Sequence, residues 1–359
     1  MKTSKTFKKY FIWLLLFLLI VVRFFITRPT YKNGDKVRIT ATVFSDPKVF
    51  GSRQSFSAAG IKVYLPKYPE VYYGDKIVIE GVVEDGKIKK AKLLSKDEFY
   101  GFGSSFRKKI IDFYEKNIPQ PVSGLFSGVV LGSSGALSLD FWEKAKETGI
   151  AHVIVASGTN VTFVIIFVFG VTSLFLSRRK SILIVILSIL LYLFLSGFQA
   201  PLIRASIMAG VSFLVESRGR ILNSFKNLLL TAGVMLVVNP LWVTDLGFIL
   251  SFVSTASIMI FSKKILNFFK FMPDIIKQDL STTLSAQIGV APIIFVTFGK
   301  FSLLSPIVNV LVLWTVPLIM ILGALGGTVG LLFPFLGKLI LYIGYPLGLW
   351  FTKIVEIFA

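Results

Sequence analysis

The chain has 359 residues, 54% of them hydrophobic, a mean hydropathy of +0.76 and a formal net charge of +20. Because a soluble domain has about 45–50% apolar residues, most of this chain is expected to be solvated by lipid. The sequence contains no cysteine and one histidine, which excludes disulfides, thiolate metal sites and histidine clusters; no cofactor is expected. The basic charge favours cytoplasmic loops of a membrane protein, and a polyanionic partner is also compatible with it.

Several apolar runs approach the about 20 residues that a helix needs to cross the hydrocarbon core of a bilayer. Examples are residues 182–195, residues 228–238 with their flanks, and residues 303–322. The sequence therefore predicts a polytopic α-helical membrane protein.

Residues 1–30 are expected to form an N-terminal membrane anchor helix. Four lysines among residues 2–9 precede the apolar run 11–22, as in a signal peptide. No small-residue cleavage site follows this run. An uncleaved helix with its N-terminus in the cytoplasm is therefore predicted.

Residues 31–98 differ from the rest of the chain, because apolar and polar residues alternate in short runs at 37–44, 60–65 and 76–83. Alternation with period two, interrupted by Gly, Pro and Asp, is typical of strands joined by turns. We predict a small extracytoplasmic β-barrel inserted between membrane segments. The oligonucleotide/oligosaccharide-binding (OB) type is the nearest in size.

Barrels of this type often bind single strands through aromatic stacking and basic grooves. The residues that suit this role here are Tyr72, Tyr73, Lys87, Lys89 and Lys90. A purely structural barrel with solvated lysines explains the same residues equally well.

Residues 99–138 are expected to contain two helices that do not cross the membrane. Residues 102–118 have the pattern of an amphipathic helix lying at the membrane interface. Residues 122–137 are apolar and rich in Gly and Ser but too short to span comfortably. A re-entrant or half-membrane helix fits them better.

Residues 139–359 are predicted to form a multi-helix transmembrane domain. Basic clusters at 178–180, 218–220 and 263–264 fall in every second connection between apolar segments. By the positive-inside rule these connections are cytoplasmic and the barrel lies outside, in agreement with the lysine-rich N-terminus. After Gly326 the sequence allows one more helix or a hairpin. The predicted helices span residues 150–176, 181–199, 201–216, 222–241, 244–262, 280–298 and 302–323.

Polar side chains inside the apolar segments need partners, because an unsatisfied polar group in hydrocarbon costs several kcal/mol. Most of them fall in the outer half of the predicted membrane domain, so they can converge on one outward-facing vestibule that suits a polar or anionic solute. Hydrogen bonding between helices is the alternative explanation for each of them. The residues are His152, Ser157, Gly158, Asn160, Arg204, Asp245, Gln287 and Asn309.

Ser157 and His152 raise the question of an intramembrane serine hydrolase, in which a base must reach the nucleophile. Five residues on one helix correspond to roughly 500° of rotation, which leaves the two side chains about 140° apart around the axis. They would diverge, and the sequence has no second histidine. Catalysis is therefore not expected.

Four blocks of residues follow one another between positions 149 and 309. They are Gly149-Ile150-Ala151-His152 with Ala156-Ser157-Gly158; Leu195-Ser196-Gly197-Phe198 with Arg204-Ala205; Asn239-Pro240, Asp245, Gly247-Phe248 and Leu250-Ser251-Phe252; and Ala286-Gln287, Pro292, Phe298-Gly299, Ser305-Pro306 and Asn309. With these blocks, the chain from about residue 35 to residue 322 resembles the ComEC family of DNA-internalisation competence channels. The resemblance implies an inner-membrane channel that takes in one strand of extracellular DNA, with an external OB-type domain first.

The sequence departs from this family pattern in three places. Asn160 stands where the family usually has histidine. One helix is predicted before the barrel, whereas many members have two. No His-x-His-x-Asp-His motif of a metallo-β-lactamase-like domain occurs up to Ala359. The resemblance therefore implies a short form that works with a separate nuclease and a DNA receptor. Because no phosphate-binding loop occurs either, a cytoplasmic motor ATPase is expected as well. Single-stranded DNA and membrane lipid are the expected direct partners, and a homo-oligomer is compatible with the sequence.

The predicted function is import of single-stranded DNA through the bacterial cytoplasmic membrane during natural transformation. One alternative is a transporter of a small polar or lipid-linked substrate. The other is the intramembrane hydrolase, which would need Ser157 as its nucleophile.

Overall fold

The computed structural model describes residues 2–28, 30–43, 47–50, 53–58, 60–97, 102–133, 135–155, 157–216, 219–299 and 301–359. Fourteen α-helices and six β-strands lie in these ranges. The strands form one domain near the N-terminus, and helices make up most of the remaining chain. Ala156 and Arg218, which were named above, lie outside the described residues.

The helices and two short 3₁₀ turns have these bounds. They are α1 (Lys2–Thr27), α2 (Phe102–Asn117), α3 (Val122–Leu131), α4 (Leu139–Glu147), α5 (Ala151–Ile154), α6 (Gly158–Ser173), α7 (Arg178–Ser196), α8 (Ala200–Glu216), α9 (Ser224–Val238), the turn Pro240–Thr244, α10 (Leu246–Phe268), α11 (Asp274–Phe298), α12 (Ser305–Val312), the turn Leu313–Thr315, α13 (Val316–Leu332) and α14 (Pro334–Phe358).

Six helical stretches within the described residues are long and apolar enough to cross a membrane. This confirms the predicted class of polytopic α-helical membrane protein. The stretches are Ala151–Ser173, Arg178–Ser196, Leu246–Phe268, Ile276–Thr297, Ser305–Leu332 and Pro334–Phe358.

The six strands form one sheet in the order β1-β5-β6-β4-β3-β2, and neighbouring strands are antiparallel except for the parallel pair β4 and β6. Consecutive strands β1 and β2 lie at opposite edges. A flat sheet would place these edges about 24 Å apart, whereas the chain from Thr42 to Lys48 can span at most about 20–22 Å. The sheet must therefore curl, and this partial barrel confirms the predicted OB-like domain. The strands are β1 (Lys36–Thr42), β2 (Lys48–Phe50), β3 (Arg53–Ala58), β4 (Ile61–Pro66), β5 (Lys76–Glu84) and β6 (Lys87–Asp97).

Alternation along the strands forms the core of the barrel. Val63 on β4 and Ile77 on β5 are completely buried, while Lys62 and Lys76 beside them are exposed. Each fully buried Val or Ile side chain contributes roughly 1.5–3 kcal/mol. The period-two pattern read from the sequence therefore decides which face of the sheet points inwards.

Helix α2 is amphipathic, and its buried residues recur every three or four positions. Arg107, Ile110 and Tyr114 are each at most 3% exposed. This face packs on α3 and α13, where the Tyr114 hydroxyl donates to the Gly323 carbonyl at 2.7 Å. The charged face of α2, with Lys108 and Lys109, is exposed.

Helix α3 is the centre of the helical domain, and every one of its ten residues is buried. It packs against α2, α5, α7, α13 and α14. A helix of this length spans about 15 Å, half of the about 30 Å of a hydrocarbon core. The half-membrane helix predicted for residues 122–137 is thus a short apolar helix that other helices enclose.

Two predicted helix boundaries were wrong in ways that matter for the site. The helix expected over residues 150–176 is interrupted, because α5 ends at Ile154 and α6 begins at Gly158. The helix expected to end at residue 262 continues to Phe268, so Lys263 and Lys264 lie in its last turns rather than in a connection.

The segment after Gly326 forms the end of α13 and one further helix, α14. Pro334 begins α14, where a proline costs no hydrogen bond. The two helices pack through glycines: a Cβ at Gly337 would lie 2.2 Å from Cα of Gly330. Only glycine at this crossing allows the two backbones to approach so closely.

The barrel contacts one end of the helical domain. The Tyr73 hydroxyl donates to the carbonyl of Phe194, at the end of α7, at 3.1 Å. A Cβ at Gly60 in the barrel would lie 3.0 Å from Leu241 in the turn after α9. Both contacts are at the helix ends opposite the basic residues Arg178 and Arg220.

Candidate functional site

The break between α5 and α6 brings polar groups into the helical domain. Ser157 has an extended backbone (φ −116°, ψ 169°) and precedes the first residue of α6. Its hydroxyl donates to Asn160 Oδ1 at 3.1 Å and lies 2.5 Å from the Thr159 hydroxyl. Ser and Asn favour such helix starts because their side chains bond to nearby groups.

Asn160 is completely buried and joins three helices. Its Nδ2 donates to the Val129 carbonyl on α3 at 2.9 Å and to the Tyr192 hydroxyl on α7 at 3.2 Å. Asn160, at the position where the resemblance implied histidine, therefore has hydrogen-bond partners on α3 and on α7. In this structure Asn160 acts as an interhelical bridge beside the break.

Arg204 on α8 lies against the same break. Its Nε donates to the Ser251 hydroxyl on α10 at 2.7 Å, and its Nη1 donates to the Thr255 hydroxyl. A Cβ at Gly158 would lie 2.8 Å from Nη2, so the guanidinium faces the first residue of α6. Sequence analysis missed Ser251 and Thr255 as partners, although their spacing of four places them on one helix face.

Asp245 lies near the start of α8. It caps α10 by accepting a hydrogen bond from the Phe248 N–H at 2.8 Å. A Cβ at Gly247 would be 3.1 Å from Asp245 Oδ1 and 3.8 Å from Pro201. Asp245 thus lies close to the first turn of α8, the helix that carries Arg204.

His152 and Asn309 belong to a second polar group, centred on Gly149. His152 Nδ1 lies 3.0 Å from the Gly149 carbonyl, and the Ser305 hydroxyl donates to the same carbonyl at 3.4 Å. Asn309 Nδ2 is 3.4 Å from that hydroxyl. Gly149 has a φ of +76°, and a Cβ there would lie 2.8 Å from Ser305, so both conformation and space require glycine.

Gln287 is separate from both groups. It lines a groove of about 550 Å³ between α10 and α11 with mostly apolar side chains, including Phe268 and Ile288. The residues expected to line a single vestibule therefore lie in two groups, the Ser157–Arg204 group and the Gly149 group. Gln287 belongs to neither group.

The two tyrosines of the barrel lie at its junction with the helices. Tyr73 is only 9% exposed, and the Arg107 guanidinium lies over its ring at 4.8 Å. Tyr72 is 43% exposed, and its ring lies between the amino groups of Lys96 at 4.9 Å and Lys108 at 4.6 Å. Tyr73 is thus used by the junction, whereas Tyr72 keeps an accessible edge.

A hydrogen bond to Glu70 and partial burial together raise the pKa of Tyr72 to about 12. This phenol is therefore neutral at physiological pH. The carboxylate that accepts this hydrogen bond, Glu70, brings one negative charge to the surface beside Lys96 and Lys108.

A basic groove of about 510 Å³ is lined by residues of β3, β4 and β6. Strand register places Tyr64 on β4 beside Lys89 on β6, because Val63 pairs with Ile88 in the preceding position. Arg53 and Lys87 line the same groove. Lys87 and Lys89 were predicted from the sequence, whereas Arg53 and Tyr64 were missed because strand pairing alone brings them together. The side chain of Lys90 lies outside the described part of the structure.

Lys89 is partly neutralised within this groove. Its amino group is 2.8 Å from Asp85 and 3.6 Å from Glu84. The hydrogen bond between Lys89 and Asp85 raises the pKa of the lysine and lowers the pKa of the carboxyl group. Arg53 and Lys87 form no ion pair with the described acidic residues, so they supply most of the groove's available charge.

Among the described residues, no group of three His, Asp or Glu side chains is arranged to hold a metal ion. The polar groups at the break are hydroxyls, amides and a guanidinium. Of these groups, the guanidinium attracts anions through charge-assisted hydrogen bonds.

Comparison with known proteins places these features in a family. The chain is 27% identical over 227 residues to ComE operon protein 3 of Bacillus subtilis (strain 168), a match that covers 62% of this chain and 28% of the relative. The chain thus matches little more than a quarter of that relative's length. No solved structure matches it. The model of the family described as Competence protein matches residues 129–359, the whole helical domain from the end of α3. The chain therefore belongs to the ComEC competence protein family.

Proposed function

We propose that this protein is a channel that imports single-stranded DNA through the bacterial cytoplasmic membrane during natural transformation. The observation that carries the proposal is the groove of the barrel, which Arg53, Lys87 and Tyr64 line together. Cationic side chains that follow a backbone, combined with an aromatic ring for stacking, are the usual means of binding single strands without sequence preference.

The position of the barrel supports this proposal. It contacts the helical domain at the ends of α7 and α9, opposite the basic residues Arg178 and Arg220. If the basic ends of the helices face the cytoplasm, the barrel lies on the outer side of the membrane. The N-terminus then lies in the cytoplasm. The groove is then exposed to incoming DNA, and the break at Ser157 lies in the helix that begins on the same side.

The polar groups of the helical domain suit conduction better than hydrolysis. Ser157 contacts Thr159 and Asn160, whereas His152 contacts the Gly149 carbonyl. Since a base must lie within hydrogen-bond reach of the nucleophile it activates, we propose that the protein is not an enzyme at this site. We assign the driving force and the removal of the second strand to partner proteins.

The test uses competent cells in which this protein is the only channel. Uptake of labelled DNA is compared for the wild type and for the double variant Arg53→Gln, Lys87→Gln at equal membrane levels. The matched control is Lys36→Gln, Lys76→Gln, which removes two exposed lysines from β1 and β5, outside the groove.

We expect the groove variant to lose most of its uptake and the control to retain it, because two phosphate contacts are removed only from the groove. Equal uptake by both variants would refute the role of the groove. No uptake by the wild type would refute the channel and favour a transporter of a small polar substrate.

A further inference from the structure

Arg204 carries a positive charge into the helical domain, and neutral groups hold it there. Its guanidinium is bonded to the Ser251 and Thr255 hydroxyls and lies 3.8 Å from Met208 Sδ. No ion pair joins it to any acidic side chain among the described residues. A buried charge is costly when no opposite charge balances it, so an unpaired guanidinium among helices favours an anionic ligand.

The acidic residue on the facing helix is engaged elsewhere. Asp245 accepts the hydrogen bond of the Phe248 N–H at 2.8 Å and so caps α10. The two hydroxyls that bond Arg204 lie further along the same helix, at Ser251 and Thr255. They orient the guanidinium but supply no negative charge.

One nitrogen of the guanidinium, Nη2, makes no hydrogen bond to the described residues. Nε and Nη1 make the bonds to α10, whereas Nη2 points at the backbone of α6. A Cβ at Gly158 would lie only 2.8 Å from Nη2, so this approach exists because residue 158 is glycine. The first N–H groups of α6 have no carbonyl partner within the helix and add to the positive potential around Nη2.

We propose that Nη2 of Arg204, held beside Gly158, binds one phosphodiester group of the strand as it passes through the helical domain. The proposal rests on the proposed function, because it names the part of the DNA that this site recognises. A phosphodiester carries one negative charge and accepts hydrogen bonds through two free oxygens, which matches one guanidinium edge. Recognition of the backbone alone also lets every sequence pass.

The test measures the discrimination between charged and uncharged DNA backbones. Cells in which this protein is the only channel receive either ordinary DNA or DNA in which both strands carry a central block of uncharged methylphosphonate linkages. For each substrate, we measure the cytoplasmic DNA that lies beyond the position of the block. The readout is the amount from ordinary DNA divided by the amount from methylphosphonate DNA. This ratio does not depend on how much DNA the barrel captures, because both substrates have the same charged ends.

Two variants address the site, and each has a matched control. Arg204→Gln removes the charge, and Arg23→Gln makes the same change at an arginine that bonds the Val237 carbonyl between α1 and α9. Gly158→Ala keeps the charge but places a methyl group against Nη2, whereas Gly170→Ala adds the same methyl group to α6 where nothing lies within 4 Å.

We expect the wild type and both controls to favour ordinary DNA by about tenfold or more, as the loss of a charge-assisted hydrogen bond predicts. In Arg204→Gln and Gly158→Ala this ratio should fall towards one. If Arg204→Gln does not reach the membrane, Gly158→Ala decides the question. Unchanged discrimination in the site variants would overturn the phosphate site while leaving the channel intact. Absence of any uptake by the wild type would overturn the channel and this site together.

Discussion

Substitution of Asp85 by asparagine is expected to tighten the binding of single-stranded DNA. The Asp85 carboxylate lies 2.8 Å from the amino group of Lys89, a residue that lines the basic groove of the barrel. Asparagine removes this negative charge and frees Lys89 for a phosphate. The turn should survive, because Asp85 has a φ of 51° and is followed by Gly86, and an Asn-Gly pair adopts the same turn.

The size of the effect follows from the number of charges. One additional phosphate contact on a single strand steepens the dependence of log K on log salt by about 0.7. The advantage of the variant over the wild type should therefore shrink roughly threefold when the salt concentration is raised fourfold. Glu84 lies 3.6 Å from Lys89 and remains in the variant. The slope change of about 0.7 and the threefold effect are therefore upper bounds.

The assay is fluorescence anisotropy of a labelled oligothymidine with the full-length protein in nanodiscs at several salt concentrations. Glu143→Gln is the control, because it frees Lys146 from a similar exposed ion pair on α4, outside the groove. Affinity that is unchanged or weaker in Asp85→Asn, or a salt slope equal to that of the wild type, would show that the groove does not bind the strand.

Three further substitutions test the framework of the site. Gly337→Ala should destabilise the protein by about 1–3 kcal/mol, since its Cβ would lie 2.2 Å from the Gly330 backbone. The control Gly210→Ala, whose Cβ would have nothing within 4 Å, should be neutral or stabilising. Both are measured by thermal unfolding in detergent, and equal effects would contradict the packing of α13 on α14. Asn160→Leu should cost roughly 1–3 kcal/mol, because two interhelical hydrogen bonds are lost; an unchanged melting temperature would refute its bridging role. Tyr73→Phe should speed hydrogen exchange in the loop 68–75 without unfolding the barrel, and unaltered exchange would show that the hydroxyl does not hold the junction.

The junction between the barrel and the helices gives Tyr72 and Tyr73 different roles. Tyr73 is buried between Arg107 and the end of α7, so it aligns the barrel with the helical domain. Tyr72 remains accessible between Lys96 and Lys108. Tyr72 is therefore accessible to a ligand of this surface, while contact with Tyr73 would require the junction to open.

Much of the fold follows from the sequence because the signals are local. Alternation of apolar and polar residues, as at Lys62 and Val63, predicted β1, β4 and β5 but not β2, β3 and β6, and long apolar runs predicted membrane helices. The barrel contacts the ends of α7 and α9 that lie opposite Arg178 and Arg220, whereas Lys263 and Lys264, expected in a connection, lie within α10. Lys87 and Lys89 were identified because exposed lysines on a strand are visible in the sequence itself.

The composition of the site depended on the tertiary structure, because it is built from residues far apart in the chain. Sequence periodicity predicted one continuous helix through Ser157, but packing of Asn160 on α3 and α7 supports a break there. Arg204 was visible in the sequence as a cation just after the Pro201 turn, yet its partners Ser251 and Thr255 are defined only by the crossing of α8 and α10. Gln287 has the same polar character as Asn160 but faces another groove, because the direction of a side chain between helices is set by how those helices pack and not by its own identity.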